Sequence, residues 1–145
     1  MLGDGVTSEQ FCMDVVKEAD YDNYLCGLLH PKDARRGFFA VRAFNCEIAR
    51  IKDNVHNNAM TGAIRFQWWN DQIEAVFQGH DPELHDHPLV RELGLAHQRH
   101  NLTKRFFQRC IEARQRDMNA MRVEVDIYTV CSVVLVHKHL RVACP

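Results

Sequence analysis

No CxxC pair, glycine-rich phosphate loop, serine-centred elbow or HExxH occurs in the 145 residues. Their absence removes the common short signatures of redox, nucleotide, hydrolase and zinc-protease chemistry. No apolar run approaches the ~18 residues of a membrane-crossing helix; the longest lies at 130–136. An excess of either charge is also lacking. Eighteen Lys and Arg against nineteen Asp and Glu leave a formal net charge of −1. That balance gives no global pull toward nucleic acid or acidic membranes, so no nucleic-acid partner is expected. The opening MLGDGVTSEQFC has no basic residue and two acids, Asp4 and Glu9. Neither a secretory signal nor an Arg-rich presequence is expected there, which taken literally leaves a cytoplasmic or nuclear location open. Six cysteines are present, at 12, 26, 46, 110, 131 and 144, with irregular spacing. Cys12, Cys26 and Cys46 fall among apolar helical positions, where a free thiol acts as a small hydrophobe. A reducing compartment is expected.

What is present is helical periodicity. Thr7 followed by Gln10 reads as a capping box opening a helix through about Ala19. DYDNYLCGLLH is a second, short candidate, stopped at His30-Pro31 because the residue before proline avoids the α region. The next helix runs from Pro31 to about Asn54, with Phe38, Val41, Phe44, Ile48, Ile51 and Val55 recurring every three or four positions. Another is expected over 59–78, with Ile64, Trp68, Ile73 and Phe77 on or near its inner side and Gly79 ending it. A polar loop with two prolines leads into a helix over 88–100. A last helix follows, capped by Asn101 or Thr103 and bearing Phe106, Phe107, Cys110 and Ile111. The pattern to residue 118 is all-α with short connections, so successive helices are expected to be antiparallel neighbours. After about residue 121 the character changes. VEVDIYTVCSVVLVHKHLRVACP is dense in β-branched residues and reads as strand. The domain reading is therefore a helical unit at 1–121 followed by a divergent strand-like tail at 122–145.

Three clusters invite chemical readings. His80, His85 and His87 lie close together in GHDPELHDHP, but a zinc site wants three or four ligands at organised spacing with supporting hydrogen bonds. His137 and His139 in the tail offer less. TKRFFQR mixes basic and aromatic residues as any amphipathic helix with a solvated face does. The adjacent Trp68 and Trp69 point about 100° apart on a helix, so both are buried only at a crowded helix junction.

LLHPKDARRGFFAVRAFNCEIARIKD, followed by RFQWWNDQIEAVFQG, resembles the squalene/phytoene synthase family over roughly residues 9–118. The carrying elements are the leucines before Pro31, Arg35, the Ala40/Phe44 face and the Trp-rich helix ending in Gly79. The wording of residues 28–35, 39–49, 52–53 and 99–105 is closest to a non-catalytic branch of that family. The resemblance implies the N-terminal half of an isoprenoid-synthase-like helical domain. For this branch it also implies a part in building respiratory complex I at an early membrane-arm step. The partners would then be complex I subunits or other assembly factors, at the matrix side of the mitochondrial inner membrane with peripheral association.

Active members carry two carboxylates four residues apart on this helix, where one face holds Mg²⁺ against a substrate diphosphate. The resemblance sets these at 49 and 53, where the chain has Ala49 and Asp53 with Arg50 between them. Glu47 does not substitute, because two residues along a helix turn it about 200° from position 49. No catalytic residue, metal ligand or cofactor is therefore expected; the competing readings are a prenyl-diphosphate-using transferase and a non-functional truncated form. Half a fold is also expected to leave Phe38, Phe44, Trp68, Trp69 and Phe107 short of packing partners.

Overall fold

The computed structural model describes residues 7–55 and 59–119. Helices make up almost all of it: α1 Ser8–Ala19, α2 Tyr21–Leu28, α3 Lys32–Asn54, α4 Ala59–Phe77, α5 Pro88–His100 and α6 Lys104–Asn119. A single 3-10 turn, Pro82–Leu84, precedes α5. No strand occurs among the described residues. The strand-like reading of 122–145 falls outside them.

The boundaries follow local chemistry. The Thr7 hydroxyl accepts from the Gln10 amide at 3.2 Å and opens α1, as its side-chain chemistry favours at this position. Asp20 closes α1 and caps α2, accepting from the Asn23 amide at 3.3 Å. Asn101 adopts the left-handed conformation (φ 49°, ψ 54°) that ends α5, and α6 starts just after Thr103. Of the two candidate caps, Asn101 thus closes one helix and Thr103 precedes the next.

α3 is the hub and touches all five other helices. Its residues 39–46 are buried on every side, including Arg42 and Asn45. A helix apolar on one stripe needs one neighbour, whereas one buried all round must lie at the centre of a layer. α1 and α5 cover one side of α3, while α4 and α6 pair with each other. Phe44 sits where these groups meet, edge-on to Trp69 (5.4 Å between ring centroids) and Phe107 (5.2 Å).

Two expectations are overturned. The inner line of α4 is Gly62, Phe66, Trp69, Ile73 and Val76. Met60, Ile64 and Trp68 face outward, with 77%, 64% and 40% of their surface exposed. An apolar residue at every third or fourth place exists on both faces of this helix, and composition alone gave no way to choose between them. The second correction concerns the supposedly unpartnered aromatics. Phe44, Trp69 and Phe107 are buried within this chain, because α4 and α6 close over α3. Phe38 is half-buried, and Trp68, 40% exposed, is the least covered of the five.

Candidate functional site

The face of α3 that would carry an acidic motif is its last two turns. Here the buried block ends and half-exposed positions begin. Ala49 is half-exposed and Asp53 exposed. The charges around them point back into the molecule. Arg50 reaches Glu18 of α1 at 3.3 Å and Glu47 at 3.8 Å. Lys52 donates to the Asp117 carbonyl at 3.0 Å, with its carboxylate at 3.6 Å. Burial pushes the Glu47 carboxyl above its usual value, with Arg50 opposing. These residues fasten the end of α3 to α1 and α6. Among the described residues no group of three or more His, Cys, Asp and Glu side chains is arranged to hold a metal ion.

The histidines of the loop are not brought together as ligands. His87 packs among aromatic rings instead: Phe11 at 5.9 Å, Trp68 at 5.5 Å and Trp69 at 5.7 Å between centroids. Burial lowers its pKa, and its Nδ1 is buried with no hydrogen-bond partner in the protein. Its place is that of a neutral core-edge ring.

The structure assembles three polar contacts that periodicity did not foretell. Arg35 donates to the carbonyls of Leu28 (2.6 Å) and His30 (3.1 Å), which explains the LLHPKDAR wording as a clamp on the α2–α3 elbow. Arg42, in the buried block, pairs with Asp20, the residue that joins α1 to α2. Burial would raise the Asp20 carboxyl, but hydrogen bonds from Asn23 and Arg42 outweigh it and hold it below its usual value. Arg36 meets the buried Glu92 at two points, Nε to Oε2 at 2.6 Å and a terminal nitrogen to Oε1 at 2.8 Å. Next to this pair lies Cys12, whose thiol burial pushes far above the usual range; a thiol so held is inert. The one signal in the sequence was an Arg interrupting a run of core residues, at position 42. Partners 22 and 56 positions away could not be read from it.

Comparison with known proteins fits this frame. The squalene/phytoene synthase family model matches residues 16–131, a range that runs past the change of composition after residue 121. Bovine and human NADH dehydrogenase (ubiquinone) complex I, assembly factor 6, are 36% and 35% identical over 112 residues, 77% of this chain and 32% of theirs. The Drosophila melanogaster homologue is 36% identical over 107 residues, 72% of this chain and 32% of its own. The chain thus spans about a third of the length of the curated relatives it matches. No solved structure matches. With a family match over most of its length and an all-helical frame built around the motif-bearing α3, this chain belongs to the squalene/phytoene synthase family.

Proposed function

We propose that this chain is a non-catalytic member of its family that serves in the assembly of mitochondrial respiratory complex I. The similarity to complex I assembly factor 6 over 77% of the chain carries the reading. The chemistry of α3 supports it. A diphosphate with Mg²⁺ needs several oxygen ligands, and Asp53 stands opposite Ala49 rather than a second carboxylate. Arg50 adds a positive charge between them and is held by Glu18 and Glu47. Its partners in this reading are complex I subunits or other assembly factors, met at the matrix face of the inner membrane. No helix among the described residues is long and apolar enough to cross a membrane, so any attachment by them would be peripheral. The described helices end at Asn119, and a division of the chain into 1–121 and 122–145 rests on composition alone.

The test is a hybrid of the human relative in which the matched 112 residues are replaced by those of this chain. Introduced into cells lacking that relative, the hybrid should restore assembled complex I on native gels. Assembly no better than with empty vector, from a hybrid present at normal abundance in mitochondria, would sink the reading.

A further inference from the structure

Met60, Ile64 and Trp68 recur every four residues along the outer side of α4, opposite the buried line of Gly62, Phe66, Trp69, Ile73 and Val76. Each is 40% or more exposed, and three large apolar side chains in a row form the kind of patch that marks an interaction surface. Two acids border it. Asp71 follows Trp68 by three residues, so it continues the same side of the helix, and it too is exposed. Asp86, also exposed, precedes His87, whose ring lies 5.5 Å from that of Trp68. We propose that this ridge docks a helix of another protein, one whose apolar line is flanked by lysine or arginine.

The charge of the partner follows from what the two acids lack. Neither forms an ion pair among the described residues. Asp71 accepts a hydrogen bond from the Gln67 side chain of its own helix at 2.9 Å. Arg65, the only cation on α4, joins neither acid, and its field falls on Glu47 near the end of α3. The neighbouring acids Glu74 and Glu83 are already taken, by Lys104 and Arg91. A carboxylate at the rim of an apolar patch leaves a cation on the partner to complete the seam, and such rim charges select partners and speed encounter.

The secondary structure of the partner follows from α4 itself. Its backbone groups are spent within the helix, so it offers no edge to which an extended segment could add. A helix arrives with its own backbone bonds made, and its ridges fit between side chains spaced four apart. Trp68 supplies the anchor, since tryptophan is enriched among the residues that carry binding energy. Two other occupants fit less well. An anionic lipid surface would repel Asp71 and Asp86. A second copy would bring the same two acids to the seam. The face suits a cationic helix whether or not the chain serves in complex I assembly.

The probe is a fluorescent peptide of leucine and lysine in amphipathic helical order, with a leucine–glutamate peptide of equal length as its counterpart. Anisotropy with the full chain should show saturable binding of the lysine peptide and none of the glutamate peptide. Asp71→Lys should weaken binding at least about ten-fold, as should Ile64→Ser. Asp22→Lys, on the exposed side of α2, should leave it unchanged. Ile64 and Asp71 are exposed, so both variants keep the fold, which melts followed by circular dichroism verify. No binding of the lysine peptide, equal binding of both peptides, or equal losses from Asp71→Lys and Asp22→Lys would overturn the proposal. Binding to phosphatidylserine-rich vesicles that Ile64→Ser abolishes would overturn it too, and would assign the ridge to a membrane. A dimer in sedimentation that the same variant dissolves would assign it instead to another copy of the chain.

Discussion

Arg36 and Glu92 are joined at two points across 56 positions of sequence, with the carboxylate 1% exposed and the guanidinium open to solvent on one side. The pair locks α3 to α5. Its geometry matters more than its count as a salt bridge, because a buried carboxylate without a partner is the costly state. Arg36→Met should destabilise the fold by about 3 kcal/mol, toward the lower end of the range for breaking a buried pair. Replacing both, as Arg36→Met with Glu92→Met, should cost clearly less than Arg36→Met alone. Denaturant unfolding of the two variants checks this; equal losses would mean that Glu92 finds water once Arg36 is gone.

His87 should make stability fall in mild acid. Its folded pKa lies below the ordinary 6.5 because burial disfavours the charged ring. The unfolded chain therefore binds the proton first, and stability rises with pH wherever it does so. The contribution is complete above about pH 6.5 and is lost as pH falls through the lowered folded value. His87→Phe, packed in the same aromatic surroundings, should remove that loss. The melting-temperature difference between variant and parent should grow on going from pH 7.5 to pH 5.5; a constant difference would place His87 in water.

Asp20 and Glu47 should behave oppositely. The Asp20 carboxyl is held below 3.8, so its stabilisation is present at neutral pH and fades as pH falls through the depressed value. Asp20→Asn should thus be costly at pH 7 and close to neutral in strong acid. Glu47 is raised above 4.5 by burial. Its folded form favours the proton, and stability drops as pH rises through the elevated value. Glu47→Gln should be more favourable relative to the parent at pH 7 than at pH 4. Thermal melts across pH resolve both signs.

Two glycines separate tight packing from helix propensity. A Cβ on Gly27 would stand 2.5 Å from the Phe39 ring, itself fully buried. Gly27→Ala should cost about 1–3 kcal/mol, the usual penalty for overpacking. At Gly62 the obstacle is the flexible end of Met118, which can swing aside. Gly62→Ala should be nearly neutral, since about 1 kcal/mol of helix propensity offsets the displacement. Equal losses at both sites would contradict this.

Purified chain given Mg²⁺ with farnesyl or geranylgeranyl diphosphate should yield no condensed product. Ala49→Asp alone should not create activity, since restoring one carboxylate leaves Arg50 beside it. Turnover that disappears on Asp53→Ala would reverse the non-catalytic reading.

The helices were legible because each announces itself twice, through apolar period and through its ends: Thr7, Pro31, Gly79 and the Asn101–Thr103 corner. The inner face of α4 was not, since Ile64 and Phe66 are equally apolar and only the positions of α3 and α6 decide which is covered. That Ala49 and Asp53 make no carboxylate pair could be seen without any structure. The use of Arg50 as a strap to Glu18 could not, because it depends on how α1 lies against α3. Likewise nothing local marks Glu92 as buried; that follows from Arg36 arriving opposite it.

α3 divides its labour along its length. Residues 39–46 are enclosed on all sides, whereas Ala49 and Asp53 lie beyond that enclosure, one half-exposed and the other exposed. An insertion within the enclosed turns would rotate everything after it by 100° and disengage five neighbouring helices at once. A replacement at the exposed position 53 leaves that enclosure in place. The enclosed turns therefore fix the frame, while the last two turns of α3 can change residue by residue without unseating the helices around them.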